Sequence, residues 1–298
     1  MKMKMSLRFI LIIITLCVYN VEASQKGGRA PAIEILPPEG IVYEVKQYRE
    51  SNVKRACQIG IAYSSNAKEA LPIVIFIHGG GWSKGDKDIV AYQALRYAKR
   101  GYVGITLSYR LVQESPFPTC IYDVKEAIRY IKSICGDIPG DLNRIGLQGY
   151  SAGAHLALVA ALSDEGDFHS GMYSEYDSKV QCVVAVSAPT DFIARKKIGN
   201  KCMTKEQRED DDFLKSVSPV YLIHEKQVPV FMMHGDADDV VKTFHYENFQ
   251  RRCILVGNCN FILDVFPGGN HTYFFKNART EHPKMDRFFD EHLLVKSD

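Results

Sequence analysis

Three glycine-flanked stretches of this sequence hold residue types whose spacing could support nucleophilic chemistry. Gly149-Tyr150-Ser151-Ala152-Gly153 has the form G-x-S-x-G. The apolar-centred run Arg144–Gln148 before it and the helix-forming run Ala154–Leu162 after it predict a strand, a tight turn and a helix. In that setting a serine oxygen stands exposed above a sheet edge, and the glycines let strand and helix approach without Cβ clashes. Further on, Val230–Met233 leads into His234-Gly235-Asp236-Ala237-Asp238-Asp239, and Phe261–Val265 leads into Pro267-Gly268-Gly269-Asn270-His271. A carboxylate on the first of these loops could orient an imidazole on the second, which could take the serine proton. Asp236, Asp238 and Asp239 compete for that role, and the two that lose are solvated turn residues.

A fourth stretch, His78-Gly79-Gly80-Gly81-Trp82, follows the five apolar residues Ile73–Ile77. Consecutive glycines let backbone N–H groups turn toward one point, as stabilising an oxyanion requires. A phosphate-cradling loop is the alternative, but no Lys-Ser/Thr pair follows in P-loop spacing. A tight turn without chemistry is the bland reading.

These loops need strands to carry them. Ile41–Tyr48 and Cys57–Tyr63 alternate apolar and polar residues and suit antiparallel strands. Ile73–Ile77 reads as a strand covered on both faces. From there strands at 103–107, 144–148, 180–186, 228–233 and 261–265 alternate with helices at 89–100, 120–134, 154–162, 242–253 and 283–294. In the second helix Ile121, Val124, Ile128 and Ile131 share one face. Such alternation implies an α/β fold, a mostly parallel sheet of about eight strands with helices on both faces. Ligands of such sheets sit beyond the carboxyl ends of the strands, where all four loops fall. Residues 193–227, with the acidic run Glu209–Asp212, interrupt the alternation and suggest a small lid insertion.

Length and composition suit one large domain, residues 41–298, behind a flexible lead-in at 24–40. Lys2, Lys4 and Arg8 precede the apolar stretch Phe9–Val18, and Val21-Glu22-Ala23 ends in small residues at the positions a signal peptidase reads. Residues 1–23 are thus expected to be a signal peptide, too short to span a membrane, and the protein to be secreted or periplasmic. Lipid anchoring through Cys17 is the weaker alternative, because Leu16 is large. Removing 1–23 takes Lys2, Lys4, Arg8 and Glu22 and leaves basic and acidic residues equal in number. No basic stripe points to nucleic acid, and no second apolar span points to a membrane. The cysteines left, Cys57, Cys120, Cys135, Cys182, Cys202, Cys253 and Cys259, are odd in number and lack a zinc pattern. Cys120 and Cys135 would lie at opposite ends of one helix, whereas Cys253 and Cys259 could pair. Most are expected to be buried apolar fillers.

Taken together, His78–Trp82 with Gly85-Asp86, Ser108-Tyr109-Arg110-Leu111, Phe117-Pro118, Asp123, Gly149–His155, His234–Val241 and Gly269–His271 resemble an α/β-hydrolase of the hormone-sensitive-lipase and acetyl-esterase kind. The chain is most similar to the feruloyl/acetyl-xylan esterase-like carbohydrate esterases, over residues 70 to 295. Two positions depart from that pattern: Ala154 stands where a second glycine is usual, and Ser108 where asparagine is common. The resemblance implies a catalytic Ser151, Asp238 and His271, with Asp238 the acid of H-G-x-x-D-x-x-V. It also implies oxyanion donors at the backbone N–H groups of Gly80, Gly81 and Ala152, with no metal and no organic cofactor. The implied protein is an exported serine carboxylesterase acting on short acyl or feruloyl esters, with plant polysaccharide as one substrate class. Its partner is a small-molecule or oligosaccharide ester. An amidase, arylformamidase or peptidase could use the same residues. A catalytically silent binding protein would not need all three. His155, one turn beyond the serine, is expected to be a packing residue, and His78 and His234 to shape their loops. Asn270-His271-Thr272 matches a glycosylation sequon, expected to be unmodified because a glycan there would crowd the base.

Overall fold

The computed structural model describes residues 28–29, 31–194, 200–257 and 260–294. The expected signal at 1–23, the alternative anchor Cys17 and the half-cystine candidate Cys259 lie outside the described residues. Eight strands, β1 (Ile41–Gln47), β2 (Gln58–Ser64), β3 (Leu71–Ile77), β4 (Val103–Ser108), β5 (Gly140–Tyr150), β6 (Cys182–Val186), β7 (Val230–Gly235) and β8 (Phe261–Phe266), form one sheet. Their order is β1-β2-β4-β3-β5-β6-β7-β8. The pairs β1–β2 and β2–β4 are antiparallel, and from β4 to β8 every pairing is parallel. This is the α/β architecture expected from the alternation of elements.

Period-two geometry divides each central strand between two cores. In β3, Ile73, Ile75 and Ile77 join one apolar cluster and Val74 and Phe76 the other. The first cluster takes in α2 (Thr119–Ser133) through Ile121, Val124, Ile128 and Ile131, and α3 (Ala152–Leu162) through Leu156 and Val159. The second takes in α1 (Ala91–Ala98) through Ala94 and Tyr97, and the closing helix α8 (Ala278–Leu293) through Met285, Phe288 and Phe289. Between β6 and β7 lie α4 (Lys205–Glu209), α5 (Asp211–Ser216) and a 3₁₀ turn, Pro219–Tyr221. This insertion docks through Gln207, whose amide donates to the Phe117 carbonyl at 2.8 Å, and through the Phe213 ring, edge-on to Phe117. The helix α6 (Phe244–Val256) joins β7 to β8, and the single turn α7 (Tyr273–Lys276) precedes α8.

Several element boundaries differ from expectation: the strand read at 144–148 spans Gly140–Tyr150, the helix read at 242–253 spans Phe244–Val256, and two helices begin differently. The helix read at 89–100 is a 3₁₀ turn, Lys87–Val90, followed by α1, because the Asp86 carboxylate caps the Asp88 N–H and tightens the entry. The helix read as starting at Pro283 starts at Ala278 and runs through it. Pro283 deprives one early carbonyl of its partner, while burial of Met285, Phe288, Phe289 and Leu293 holds the helix together across it. The lead-in, expected to be loose, is fastened at Arg29. Its guanidinium donates to Glu114 at 2.7 Å and to the Tyr109 carbonyl at 2.8 Å. Cys57, Cys120, Cys135, Cys182, Cys202 and Cys253 are all free thiols, and four of the six are buried.

β4 and α1 pack backbone against backbone. A Cβ added at Gly104 would fall 2.3 Å from the Ala94 carbonyl oxygen. A Gly104→Ala variant is therefore expected to lose about 1–3 kcal/mol, read as a lower urea midpoint at unchanged m-value. An unchanged midpoint would mean that the helix can back away at no cost.

Candidate active site

The strands β3, β5, β7 and β8 bring all four glycine-flanked loops to the carboxyl edge of the sheet. Ser151 sits between β5 and α3 with φ 54° and ψ −119°, a conformation that L-residues rarely adopt and that costs on the order of 1–3 kcal/mol. Its N–H donates to the Val186 carbonyl at 2.8 Å and its carbonyl accepts from the His155 N–H at 3.1 Å, so the strained residue is held by strand and helix at once. The reversal is possible because the residues two positions to either side, Gly149 and Gly153, lack side chains. A Cβ at Gly149 would lie 2.2 Å from the Gly153 oxygen, and one at Gly153 would lie 2.2 Å from the Ile77 oxygen.

His271 follows β8. Its Nε2 lies 3.1 Å from Ser151 Oγ and its Nδ1 lies 2.7 Å from Asp238 Oδ2. With a carboxylate as acceptor at Nδ1, that nitrogen carries the proton and Nε2 faces the serine as acceptor. Of the three competing aspartates, the structure brings Asp238 to the imidazole. Asp238 is buried, whereas Asp236 and Asp239 are exposed; Asp236 instead accepts the Gly268 N–H at 2.6 Å. The other Asp238 oxygen accepts N–H groups from Val240 at 2.9 Å and Val241 at 2.8 Å. Burial pushes the Asp238 carboxyl up, but the bond and charge of His271, the Val241 N–H and nearby His234 outweigh it and hold the group below its ordinary range. It is therefore ionised when the imidazole needs it.

The glycine loop after β3 is shaped from below. Gly80, Gly81 and Trp82 all have positive φ, at 120°, 58° and 59°, and a Cβ on Gly80 would lie 2.2 Å from the Lys84 oxygen. His78 stacks on Tyr109 with ring centroids 4.4 Å apart, and the Tyr109 hydroxyl donates to the His78 carbonyl at 3.1 Å. The neighbours of Tyr109 complete the support. Ser108 Oγ accepts from the Lys87 N–H at 2.9 Å, and Arg110 forks onto buried Asp123. Asp86, fully buried, pairs with Arg55 at 2.7 Å and with Arg29 at 3.5 Å. Ala152 opens α3, where the first N–H groups have no intrahelical partner.

Two contributions escaped sequence reasoning. The Tyr150 hydroxyl donates to the His271 carbonyl at 2.5 Å and so ties the residue before the serine to the loop of His271. His155, expected to be packing, is buried but hydrogen-bonded at both nitrogens. Trp82 Nε1 donates to its Nδ1 at 3.2 Å, and its Nε2 meets the Val217 carbonyl at 2.8 Å. No local pattern announces either bond, since both join segments distant in the chain. Among the described residues, no group of three His, Cys, Asp or Glu side chains is arranged to hold a metal ion.

Burial lowers His78, His155 and His282 from an ordinary 6.5 to about 4. Below pH 6.5 the unfolded chain takes up protons at these rings that the folded chain refuses until about pH 4. Stability is therefore expected to fall as pH drops from 6.5 to 4, by up to roughly 1.4 kcal/mol per pH unit for each ring. Urea midpoints across that range would check this. His282→Gln should make the decline shallower, and an unchanged slope in that variant would contradict it.

Residues 59–252 match the family model BD-FAE. The chain is 28% identical over 228 residues to esterase LipC of Mycobacterium tuberculosis, which covers 70% of this chain and 55% of that protein. It is 33% identical over 246 residues to the isoprenylcysteine alpha-carbonyl methylesterase ICME of Arabidopsis thaliana, covering 78% of this chain and 57% of that one. The chain spans about half the length of the curated relatives it matches. Among solved structures, a truncated carbohydrate esterase from gut microbiota is similar with TM-score 0.72 and 25% identity, over 86% of this chain and 98% of that one. Est2, an esterase of Thermogutta terrifontis, has TM-score 0.71 at 24% identity over 88% of this chain and 97% of its own, a likeness of fold alone.

Proposed function

The chain belongs to the BD-FAE family, and on that premise we propose that it is a carboxylic ester hydrolase with Ser151 as nucleophile, His271 as general base and Asp238 as the orienting carboxylate. The observation that carries this reading is the continuous chain Asp238–His271–Ser151, at 2.7 and 3.1 Å, ending on a serine in a strained turn. His271 Nε2 takes the Ser151 proton as Oγ adds to the ester carbonyl carbon. The resulting oxyanion is held by the N–H groups of Gly80, Gly81 and Ala152. On collapse the C–O bond to the alcohol breaks and the alcohol leaves with the proton from His271. Water then repeats the sequence on the acyl-enzyme and releases the acid.

The substrate we propose is a short acyl or feruloyl ester, with acylated plant polysaccharide as the larger context. The likeness to a carbohydrate esterase supports this, as does an insertion built of short helices in place of a broad apolar cap. Residues 1–23 serve in this reading as an export signal, supported by the basic start and apolar stretch of the sequence. Amino-terminal sequencing of protein recovered from the medium or periplasm tests that: a start at Ser24 is expected, and a retained Met1 would refute it.

Hydrolysis of p-nitrophenyl acetate by wild type and variants tests the chemistry. Ser151→Ala and His271→Ala should each lose on the order of 10⁶ in turnover, and Asp238→Asn on the order of 10⁴. Full activity in Asp238→Asn would reassign the carboxylate. Release of acetate or ferulate from acetylated, feruloylated xylan then identifies the acyl group. Turnover of formyl-aryl amides in preference to every ester would replace the esterase reading with an amidase.

A further inference from the structure

The buried imidazole one turn beyond the serine is bonded to two other segments, one of which carries Gly80 and Gly81. His155 rides on α3, whose first N–H belongs to Ala152. Its Nδ1 accepts from the Trp82 indole at 3.2 Å, and Trp82 directly follows Gly80 and Gly81. Its Nε2 donates to the carbonyl of Val217, which closes α5 in the insertion, at 2.8 Å. The indole N–H can only donate and the carbonyl can only accept, so both bonds require the neutral ring with its proton on Nε2. Trp82 and His155 are almost wholly buried, and Phe117 and Phe192 surround them. No water can replace either bond cheaply there, which makes each of them directional and costly to lose.

The loop it holds has reason to move. Three successive residues, Gly80, Gly81 and Trp82, stand in the left-handed half of φ space, and two of them have no side chain to anchor them. Trp82 is the first residue after the glycines that has one. Its backbone is pinned through its carbonyl, which accepts from the Val112 N–H at 3.0 Å, and its indole is pinned by His155. We propose that His155 is a positioning residue for oxyanion stabilisation: through its bond to the Trp82 indole it fixes Trp82, and hence the direction of the Gly80 and Gly81 N–H groups. The proposal rests on the ester-hydrolase reading above. It assigns His155 no contact with the substrate. Its effect is on donors that are used in the tetrahedral transition state and little used in the ground state, so its loss should appear in kcat and leave KM.

Four variants test this: Trp82→Phe, His155→Gln, His155→Asn and the double variant Trp82→Phe/His155→Gln. Phenylalanine keeps an aromatic ring and removes the indole donor. Asparagine places its amide near the Nδ1 position and keeps the Trp82 bond, whereas glutamine reaches the Nε2 position and keeps the Val217 bond. Each enzyme is titrated with a fluorophosphonate to count competent Ser151, and kcat and KM for p-nitrophenyl acetate are expressed per titrated site. The inhibition constant of an aryl boronic acid, which forms a tetrahedral adduct on serine, is measured in parallel.

Trp82→Phe and His155→Gln should each lower kcat per site by about 10- to 100-fold, the scale of a misplaced donor. KM should stay within about twofold, and the boronate constant should rise by the same factor as kcat falls. The double variant should be no worse than either single one, and His155→Asn should recover most of the loss. Unchanged kcat and boronate binding in Trp82→Phe and His155→Gln would overturn the proposal. So would equal losses in His155→Asn and His155→Gln, which would leave only ring packing. If His155→Gln yields no titratable sites, Trp82→Phe decides alone. The underlying reading fails by a different sign: no fluorophosphonate label on Ser151 in wild type, or full turnover in Ser151→Ala.

Discussion

The constraint on which the rest of the site depends is the reversal of chain direction at Ser151. A parallel strand must turn into a helix within a residue or two, and the residue at the apex carries a side chain, a serine hydroxyl within hydrogen-bond reach of His271. The backbone there takes φ 54°, a conformation for which glycine would be the easy choice. The accommodation falls on the neighbours, since Gly149 and Gly153 are packed against backbone so closely that neither has room for a Cβ. The turn is then tied at both ends, to β6 through the Val186 carbonyl and to α3 through the His155 N–H. Strain at one residue persists because strand, helix and neighbouring strand overdetermine it.

Around that turn the site is assembled from groups that burial has made definite. Asp238 is desolvated, yet two backbone N–H groups and two imidazoles face it, so it remains a carboxylate. Asp86 shows the opposite balance. Burial raises its carboxyl above the ordinary range despite Arg55 beside it, and its part is to anchor the segment after the glycine loop. His78 and His155 stay neutral because the interior resists a charge there, and neutral rings have one donor and one acceptor with fixed directions. Each loop is thus oriented by a polar group with few alternative partners.

Much of this was legible in the chain itself. The five-residue apolar run of β3 and the alternation of β1 announce a buried and a partly exposed strand directly, because side-chain period follows strand geometry. β2 also alternates, but it is buried on both faces between β1 and β4. The four glycine-flanked loops were legible too, since each follows a strand and a parallel sheet collects those ends on one edge. What misled was local grammar overruled by packing. Proline predicts a helix start at 283, but α8 starts at Ala278 and runs through it, held by the apolar residues Met285, Phe288, Phe289 and Leu293 that it buries beyond the proline. The entry to α1 was misread because the Asp86 cap is set by side-chain geometry that periodicity does not encode.

The sequence by itself determined the order of elements, the two-sided sheet and the short list of residues able to do chemistry, because these follow from spacing and residue type over a few neighbours. Residue types alone left three aspartates equivalent, with Asp238 singled out only by the resemblance of H-G-x-x-D-x-x-V, and gave His155 only a packing role. The tertiary structure separated them, for a physical reason common to both cases. Whether an aspartate is buried beside an imidazole, or an imidazole lies between an indole N–H and a carbonyl, depends on segments dozens of residues apart meeting within 3 Å or so. The hydrogen bond is short-ranged and directional, so its partners are set by the fold and not by the local chain.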